Sequence, residues 1–463
     1  MLAGLGLAAG PVGAQYTAQF LPPPSAGQPP GAFAPYALNN KGQVFGRNWW
    51  GGPPPDRGPV LWNGTQTIAL MPPAGYHWYD GMGLLNDMGV AVSTVQLDAA
   101  TAGVRPVIWH DGAATVVPVP LALADCASRF NNLPPPYTQE LFNVWPVGLN
   151  RAGQVLILAC NTLWIVDSSG AVVAAGPPPV DTPPIGLQPV YFVELYSRGN
   201  HLNDAGVASV QTGVPGITDR PGIVGNGLSS YFALPMDLGY AQGINSHDQE
   251  LAFVQDPGGS TATCFLWTGT ALATIGTCAL AALNNLGQVA FVTNTWAPEP
   301  RLYRDGAVSA ITLPPEAPGM TFSGLNDAGQ IAGTEGVYGR GVLLTPSGPC
   351  ATDVTSQIGI RHGRLRYDAT TGRYKQTVRL RNKGPSTITG PISVALDDLP
   401  ATATLYNLNG ATSCNAPAGS LYADLGVASL APGARAAATV EFIDPTGAAF
   451  TYATRVLAGA GRR

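Results

Sequence analysis

Trp49 and Trp50 stand side by side at the start of a Gly/Pro-rich stretch that ends near Arg57, and Tyr76, Trp78 and Tyr79 cluster around His77 and Asp80 in the next variable segment. With Trp296, these are the residues best suited to hold a ligand. Aromatic rings stack on the apolar faces of sugars, while Asp, Asn and Arg beside them bond the hydroxyls at the ring edge. The opposing reading is packing, since bulky aromatics fill contacts between repeated units as readily as they line a site. His247-Asp248 is the one local His/acid pair among five dispersed histidines. A base and its orienting acid do nothing without a placed nucleophile. A hydrolase or lyase would need Asp80, His247 and Asp248 to converge, and nothing in their spacing brings them together. Asp397-Asp398 could attract a cation, although a capped strand end before Leu399-Pro400 accounts for it equally. The chain has no HExxH, GxSxG, Walker or EF-hand run. No metal, cofactor or catalytic residue is therefore expected.

These residues hang on a repeat. Seven times an aliphatic residue is followed by Asn, two variable residues and Gly, then an apolar alternation. The pairs are Asn39 with Gly42, Asn86 with Gly89, Asn150 with Gly153, Asn203 with Gly206, Asn284 with Gly287, and Asn326 with Gly329. A looser copy, Ile244-Asn245-Ser246-His247-Asp248-Gln249, offers Asp248 or Gln249 where Gly is expected, and its turn should be longer by one residue. Asn accepts hydrogen bonds from the backbone just ahead of it, and Gly takes positive φ without a Cβ clash. Each phrase thus reads as a hairpin: a strand ending in Leu-Asn, a tight turn, and a strand with one buried face. Downstream of each lies a short β-forming run with a bulky tip, such as Val60-Leu61-Trp62, Val107-Ile108-Trp109 or Phe265-Leu266-Trp267. Three to four strands every 39 to 64 residues is one propeller blade. The repeat region opens on a lone strand, Tyr16-Thr17-Ala18-Gln19-Phe20, and ends on Val342-Leu343-Leu344. The counts match if the last strand completes the first blade and so closes the ring by pairing the two chain ends, which an open solenoid would not need.

Of 463 residues, 45% are hydrophobic and 11% charged, with 58 Gly and 43 Pro. That suits a turn-dense all-β protein with a sizeable core. No apolar run is long enough for a membrane-spanning helix. Residues 1–14 are small and apolar, and Val12 and Ala14 fit a signal-peptidase cut before Gln15, although a basic leading segment is missing. Six cysteines, none in CxxC spacing, form three local sets: Cys126 with Cys160, Cys264 with Cys278, and Cys350 with Cys414. Disulfides and an oxidising compartment are the expectation, and buried free thiols the alternative.

Beyond 345–349 (Thr-Pro-Ser-Gly-Pro) the pattern changes. Longer strands follow, as in Arg373-Tyr374-Lys375-Gln376-Thr377-Val378-Arg379-Leu380-Arg381, and an immunoglobulin-like β-sandwich over 349–463 is expected, after a propeller over 15–348. Charge is divided unevenly. Residues 1–349 carry 11 basic and 21 acidic residues, against 12 and 7 from Cys350 onward. The basic residues of the tail concentrate in Arg361, Arg364, Arg366, Arg373, Lys375, Arg379, Arg381 and Lys383. Alternation places Arg373, Lys375, Arg379 and Arg381 on one strand face, which reads either as a contact for an anionic surface or as an ordinary charged edge.

The Asn-x-x-Gly-Gln phrases at 149–155, 283–289 and 325–331, interleaved with Leu-Trp strands, resemble the HAF-type extracellular repeats of bacterial secreted proteins. The tail is similar, through 373–380 and 430–442, to an immunoglobulin-like module found on such proteins. The His-Ala-Phe triplet that names the family is absent, and Arg105-Pro106-Val107-Ile108-Trp109 is nearer to its usual slot. The resemblance implies secretion to the periplasm, cell surface or medium, and it transfers no catalytic residue. The expected function is that of an exported, non-enzymatic binding or scaffold protein, with a polysaccharide or a cell-surface protein as partner. A polysaccharide hydrolase or lyase and a purely structural surface component are the alternatives. The acidic repeat region disfavours nucleic acid.

Overall fold

The computed structural model describes residues 14–24, 28, 32–48, 58–79, 83–98, 104–118, 144–159, 162–175, 190–192, 199–213, 220–225, 228–231, 234, 239–255, 262–293, 297–336, 339–444 and 447–463. The chain is all-β and built from antiparallel sheets. Up to residue 346, the described strands form seven repeating units. The first consists of Phe33–Leu38, Val44–Asn48, Gly58–Trp62 and Thr67–Ala69, hydrogen-bonded in chain order. The same order recurs in the third unit, from Trp145–Leu149 to Val172–Ala175, and in the fifth, from Gly239–Ile244 to Leu272–Cys278. In the second unit an added strand, Tyr76–Trp78, pairs with the far end of Ala91–Leu97.

The seventh unit has only three consecutive strands, Thr321–Leu325, Ile331–Thr334 and Gly341–Pro346. Its fourth comes from the other end of the chain. Ala14–Phe20 lies antiparallel to Gly341–Pro346, with Ala18 opposite Leu344, and its first two residues also run parallel to Ala307–Thr312 of the sixth unit. The two ends do pair, but in the opposite sense from the sequence expectation. The first strand completes the last unit, because the last unit already holds its three inner strands in one continuous segment.

The core lies between the units. Seven separate apolar clusters occupy the seven successive contacts, from Phe45 with Val95 and Trp109 between the first two units to Phe33 and Trp62 with Ala332 and Leu343 between the last and the first. The bulky strand tips are therefore contact residues. Trp62, Trp109 and Trp267 are buried, and Trp109 donates its indole N–H to Met71 O in the preceding unit (2.9 Å). Burying one such side chain stabilises by roughly 1.5–3 kcal/mol, so every contact carries weight. On the inner strands the approach is closer. A Cβ on Gly324 would stand 2.8 Å from Leu38 Cβ, and one on Gly148 2.6 Å from Leu202 Cβ, so neighbouring units meet where only glycine leaves room.

From residue 350 two antiparallel sheets face each other. One orders Thr352–Asp353, Ala453–Ala458, Ile392–Asp397, Leu421–Asp424 and Gly410–Ala411, and the other Ile358–His362, Arg373–Asn382, Arg435–Ile443 and Thr404–Leu405. Val378, Leu380, Val394, Leu396, Val440, Phe442 and Val456 fill the space between them. Disulfides join Cys264 to Cys278 and Cys350 to Cys414, as expected, with Cα atoms 5.7 and 5.6 Å apart. Cys126 and Cys160 lie outside the described residues. Among the described residues no helix is long and apolar enough to cross a membrane.

Candidate functional site

The inner hairpins converge on the axis of the ring, and their Asn side chains do more there than shape a turn. Asn39 Oδ1 accepts from the backbone N–H groups of Lys41 and Gln43 (3.1 and 2.9 Å), which is the expected local role. Its Nδ2 also donates to Asn86 O in the next unit (2.9 Å). The same step leads from Asn86 to Asn150, Asn203 to Asn245, Asn245 to Asn284, Asn284 to Asn326, and from Asn326 back to Asn39 O (2.9 Å). Between the third and fourth units the link is made by Asn200, whose amide accepts from Leu149 N and donates to Leu149 O, both at 2.8 Å. The hairpins are thus tied head to tail into a closed circle.

The fifth hairpin corrects the sequence expectation. Its turn has the same length as the others, with Asp248 N donating to Asn245 O and Asp248 at φ 58°. Asp tolerates the left-handed region because its short carboxylate finds local donors; here Asp248 Oδ1 accepts from Asn203 Nδ2 (2.7 Å).

The residue after each Asn forms a second circle, which the sequence reading missed. It is polar in all seven copies: Asn40, Asp87, Arg151, Asp204, Ser246, Asn285 and Asp327. That common polarity was the available signal. Asn40 N donates to Asp87, Arg151 N to Asp204, Ser246 N to Asn285, Asn285 N to Asp327, and Asp327 N to Asn40. Together the two circles line a cavity of about 160 Å³, and the aliphatic inner strands line a second of about 110 Å³. Burial sets the electrostatics. Asp327 is pushed up to about 6 by burial and by Asp87, against the amide donors of Asn285 and Asn40. Burial also raises Asp204, with Arg151 opposing it.

The tail covers this end of the ring. Leu399 O accepts from Arg151 Nη2 (3.2 Å), Thr404 Oγ1 donates to Asp204 Oδ2 (2.8 Å), and Ala411 N donates to Asp327 O (3.3 Å). Leu286 and Ala328 pack against the core of the tail, and Gly419 abuts Lys41. The His247-Asp248 pair is absorbed here as well. His247 Nε2 lies 2.7 Å from Tyr406 O with the two rings 4.6 Å apart, while Asp248 is bonded to Asn203. Burial lowers the pKa of His247 and raises that of Asp248. His247 thus contacts the tail, while Asp248 serves the ring.

The far ends of the second strands and the starts of the third lie at the other end. Arg47, the next-to-last residue of the second strand of the first unit, holds its guanidinium 4.6 Å from the ring centre of Trp78. Tyr79 stands edge-on to Trp145 of the third unit at 5.8 Å. Tyr76 and Trp78 are half-buried, and His77 between them is exposed and bonded to Asp98 (2.9 Å). Of the proposed ligand-holding residues, the structure therefore brings Tyr76, Trp78 and Tyr79 to one place and adds Arg47 and Trp145. Trp49, Trp50, Arg57, Trp296 and Asp80 lie outside the described residues. Two further titratable groups, His201 and Glu250, are fully buried in the fourth and fifth units. Burial lowers His201 to about 4 and raises Glu250 well above its usual value, and Glu250 accepts from Ser209 Oγ (2.7 Å). In the tail, Asp397 is held by Arg455 Nε (2.7 Å), which accounts for that carboxylate without a cation.

No protein-family model and no curated protein matches the sequence. Among solved structures, the chain is similar to virginiamycin B lyase from Staphylococcus aureus, at 11% identity and TM-score 0.41, over 72% of this chain and 99% of that one. It is also similar to the extracellular domain of a putative hybrid two component system from B. thetaiotaomicron, at 10% identity and TM-score 0.40, over 95% of this chain and 57% of that one, so that it spans just over half the length of that domain.

Proposed function

We propose that the chain is an exported, non-enzymatic binding protein of the HAF-repeat type. In this reading residues 1–14 are the export signal, 15–348 a seven-bladed β-propeller, and 349–463 an immunoglobulin-like β-sandwich seated on its hairpin end. Recognition falls to the opposite end, and the ligand class is carbohydrate. The observation that carries the reading is the aromatic and cationic group of Arg47, Trp78, Tyr79 and Trp145, drawn from three successive units at the end away from the tail contacts. Stacking surfaces with a guanidinium beside them suit sugar rings. The two disulfides fit an oxidising compartment.

A glycan array probed with the full chain tests it, beside a Trp78→Ala variant and a Trp49→Ala/Trp50→Ala double variant. Saturable binding to neutral glycans that both variants lose is the expected outcome. A folded protein that binds no neutral glycan would remove the carbohydrate reading and leave a scaffold or a protein-contacting role.

A further inference from the structure

The outward face of the tail's second sheet carries charge in an arrangement that works against its own stability. Pairing of Arg373–Asn382 with Ile358–His362 sets Arg379 directly opposite Arg361, and pairing with Arg435–Ile443 sets Arg381 opposite Arg435. All four arginines are exposed, and they alternate with the buried Val378 and Leu380, so they share the solvent face. Like charges directly opposite one another on a sheet destabilise it.

The same strand shows the ordinary solution a few residues away. Lys375 is paired with Asp368 (2.8 Å) and Glu441 (3.5 Å), and Arg373 with Glu441 (3.2 Å). Among the described residues, Arg361, Arg379, Arg381 and Arg435 have no such acid. The positions completing their rows are small, with Ala437 opposite Arg379 and Gly359 opposite Arg381. Gly359 lets Lys383 lie across it, and a Cβ there would stand 2.5 Å from Lys383 Cε. Strands ~4.8 Å apart and alternate residues ~6.8 Å apart give a lattice of cations on a flat floor, three strands wide.

We propose that this face binds an extended acidic polysaccharide, with the guanidinium forks holding successive carboxylate or sulfate groups. A planar fork matches such groups with two parallel hydrogen bonds. Charge complementarity alone would admit other polyanions, and the shape of the face decides between them. Tyr367, the exposed large apolar residue of this sheet, pairs with Tyr374 on the opposite parity, so the cationic face has no apolar anchor for a bilayer. Among the described residues the aromatic ring on this face is Tyr406, at the end away from the four arginines, and it is already stacked between Arg373 (3.3 Å) and His247 (4.6 Å), so it offers bases no open platform. The proposal is independent of the neutral-sugar reading of the ring and uses different residues.

The test measures binding of the full chain to polygalacturonate and dextran sulfate, with neutral dextran, phosphatidylcholine/phosphatidylserine vesicles and single-stranded DNA as comparisons. Binding to either acidic polysaccharide, weakening with salt and absent for neutral dextran, is expected. Arg379→Gln/Arg381→Gln should weaken it by roughly tenfold per arginine lost. The Tm of that variant should hold or rise, because repulsion is relieved, so a loss of binding would not be a loss of fold. Lys375→Gln, whose charge is already satisfied by acids, should leave binding within about twofold. The proposal fails if wild type binds neither acidic polysaccharide, if it binds vesicles or DNA more tightly, or if Lys375→Gln weakens binding as much as the double variant.

Discussion

The inner turn at Asn326 and the outer turn at Asp167 are built alike and answer to different surroundings. In each, the first residue exchanges two backbone hydrogen bonds across the turn, and a glycine stands at φ 75° or 79°. In each, a side-chain oxygen accepts from the N–H groups two and four residues on: Ala328 and Gln330 (3.1 and 2.9 Å) in one, Ser169 and Ala171 (2.8 and 3.1 Å) in the other. An acid serves this local purpose as well as an amide, and at the exposed rim the residue is Asp. At the axis it is Asn, because the side chain must also donate to the neighbouring unit's carbonyl. The turn selects an acceptor, and the ring selects the amide.

Exchanging the two side chains should give the largest effect. Asn326→Asp keeps the local acceptor but loses the donor to Asn39 O and buries a carboxylate beside a carbonyl. A loss of about 3 kcal/mol or more in denaturant unfolding is expected. Asp167→Asn should change stability by no more than about 0.5 kcal/mol. Comparable losses in both variants would break the distinction.

The acids of the two turns also titrate in opposite senses. Asp167 is held below its ordinary value, chiefly by its bond from the Ser169 hydroxyl, whereas Asp327 is pushed up to about 6 by burial. A raised carboxyl contributes stability that is fully present below about 3.8 and is lost as pH rises through 6. The shift of Asp327 corresponds to about 3 kcal/mol. His201, lowered to about 4, works the other way, losing stability as pH falls from 6.5. Asp327→Asn should therefore remove the gain that offsets the His201 loss, so that stability falls more steeply from pH 6.5 to 4 than in wild type. A profile unchanged from wild type would place the charge of Asp327 in water.

A smaller effect follows from the tail, whose contacts fall on the inner turns. Thr404→Val removes the donor to Asp204 and should cost about 1 kcal/mol. Amide exchange should quicken at Ala205 and Val207 in that inner turn and stay unchanged at Ala171 in the outer one. Equal acceleration at both would mean that the bond does not fasten the tail.

Much of this architecture is legible in the sequence. Asn, Gly and the period-2 alternation are local signals, and they placed the hairpins and the strands that follow them. The fifth turn was misread because the reading demanded Gly, although Asp also tolerates positive φ when donors are near. The direction of ring closure was misread because the last unit's missing strand is not adjacent to it in sequence. In the site, Tyr76, Trp78 and Tyr79 were visible as a cluster of types, but Arg47 and Trp145 come from units on either side and could not be added by spacing.

The sequence by itself determined the repeat, the turn chemistry, the local Cys264–Cys278 pairing and the uneven division of charge, since each depends on residues near one another in the chain or on composition. Only the tertiary structure decided that Asn326 donates to Asn39, that His247 serves the tail, and that Arg361 and Arg435 flank Arg379 and Arg381. Those relations join residues tens to hundreds of positions apart. A hydrogen bond or a like-charge pair exists only once the backbone has brought its partners within a few ångströms.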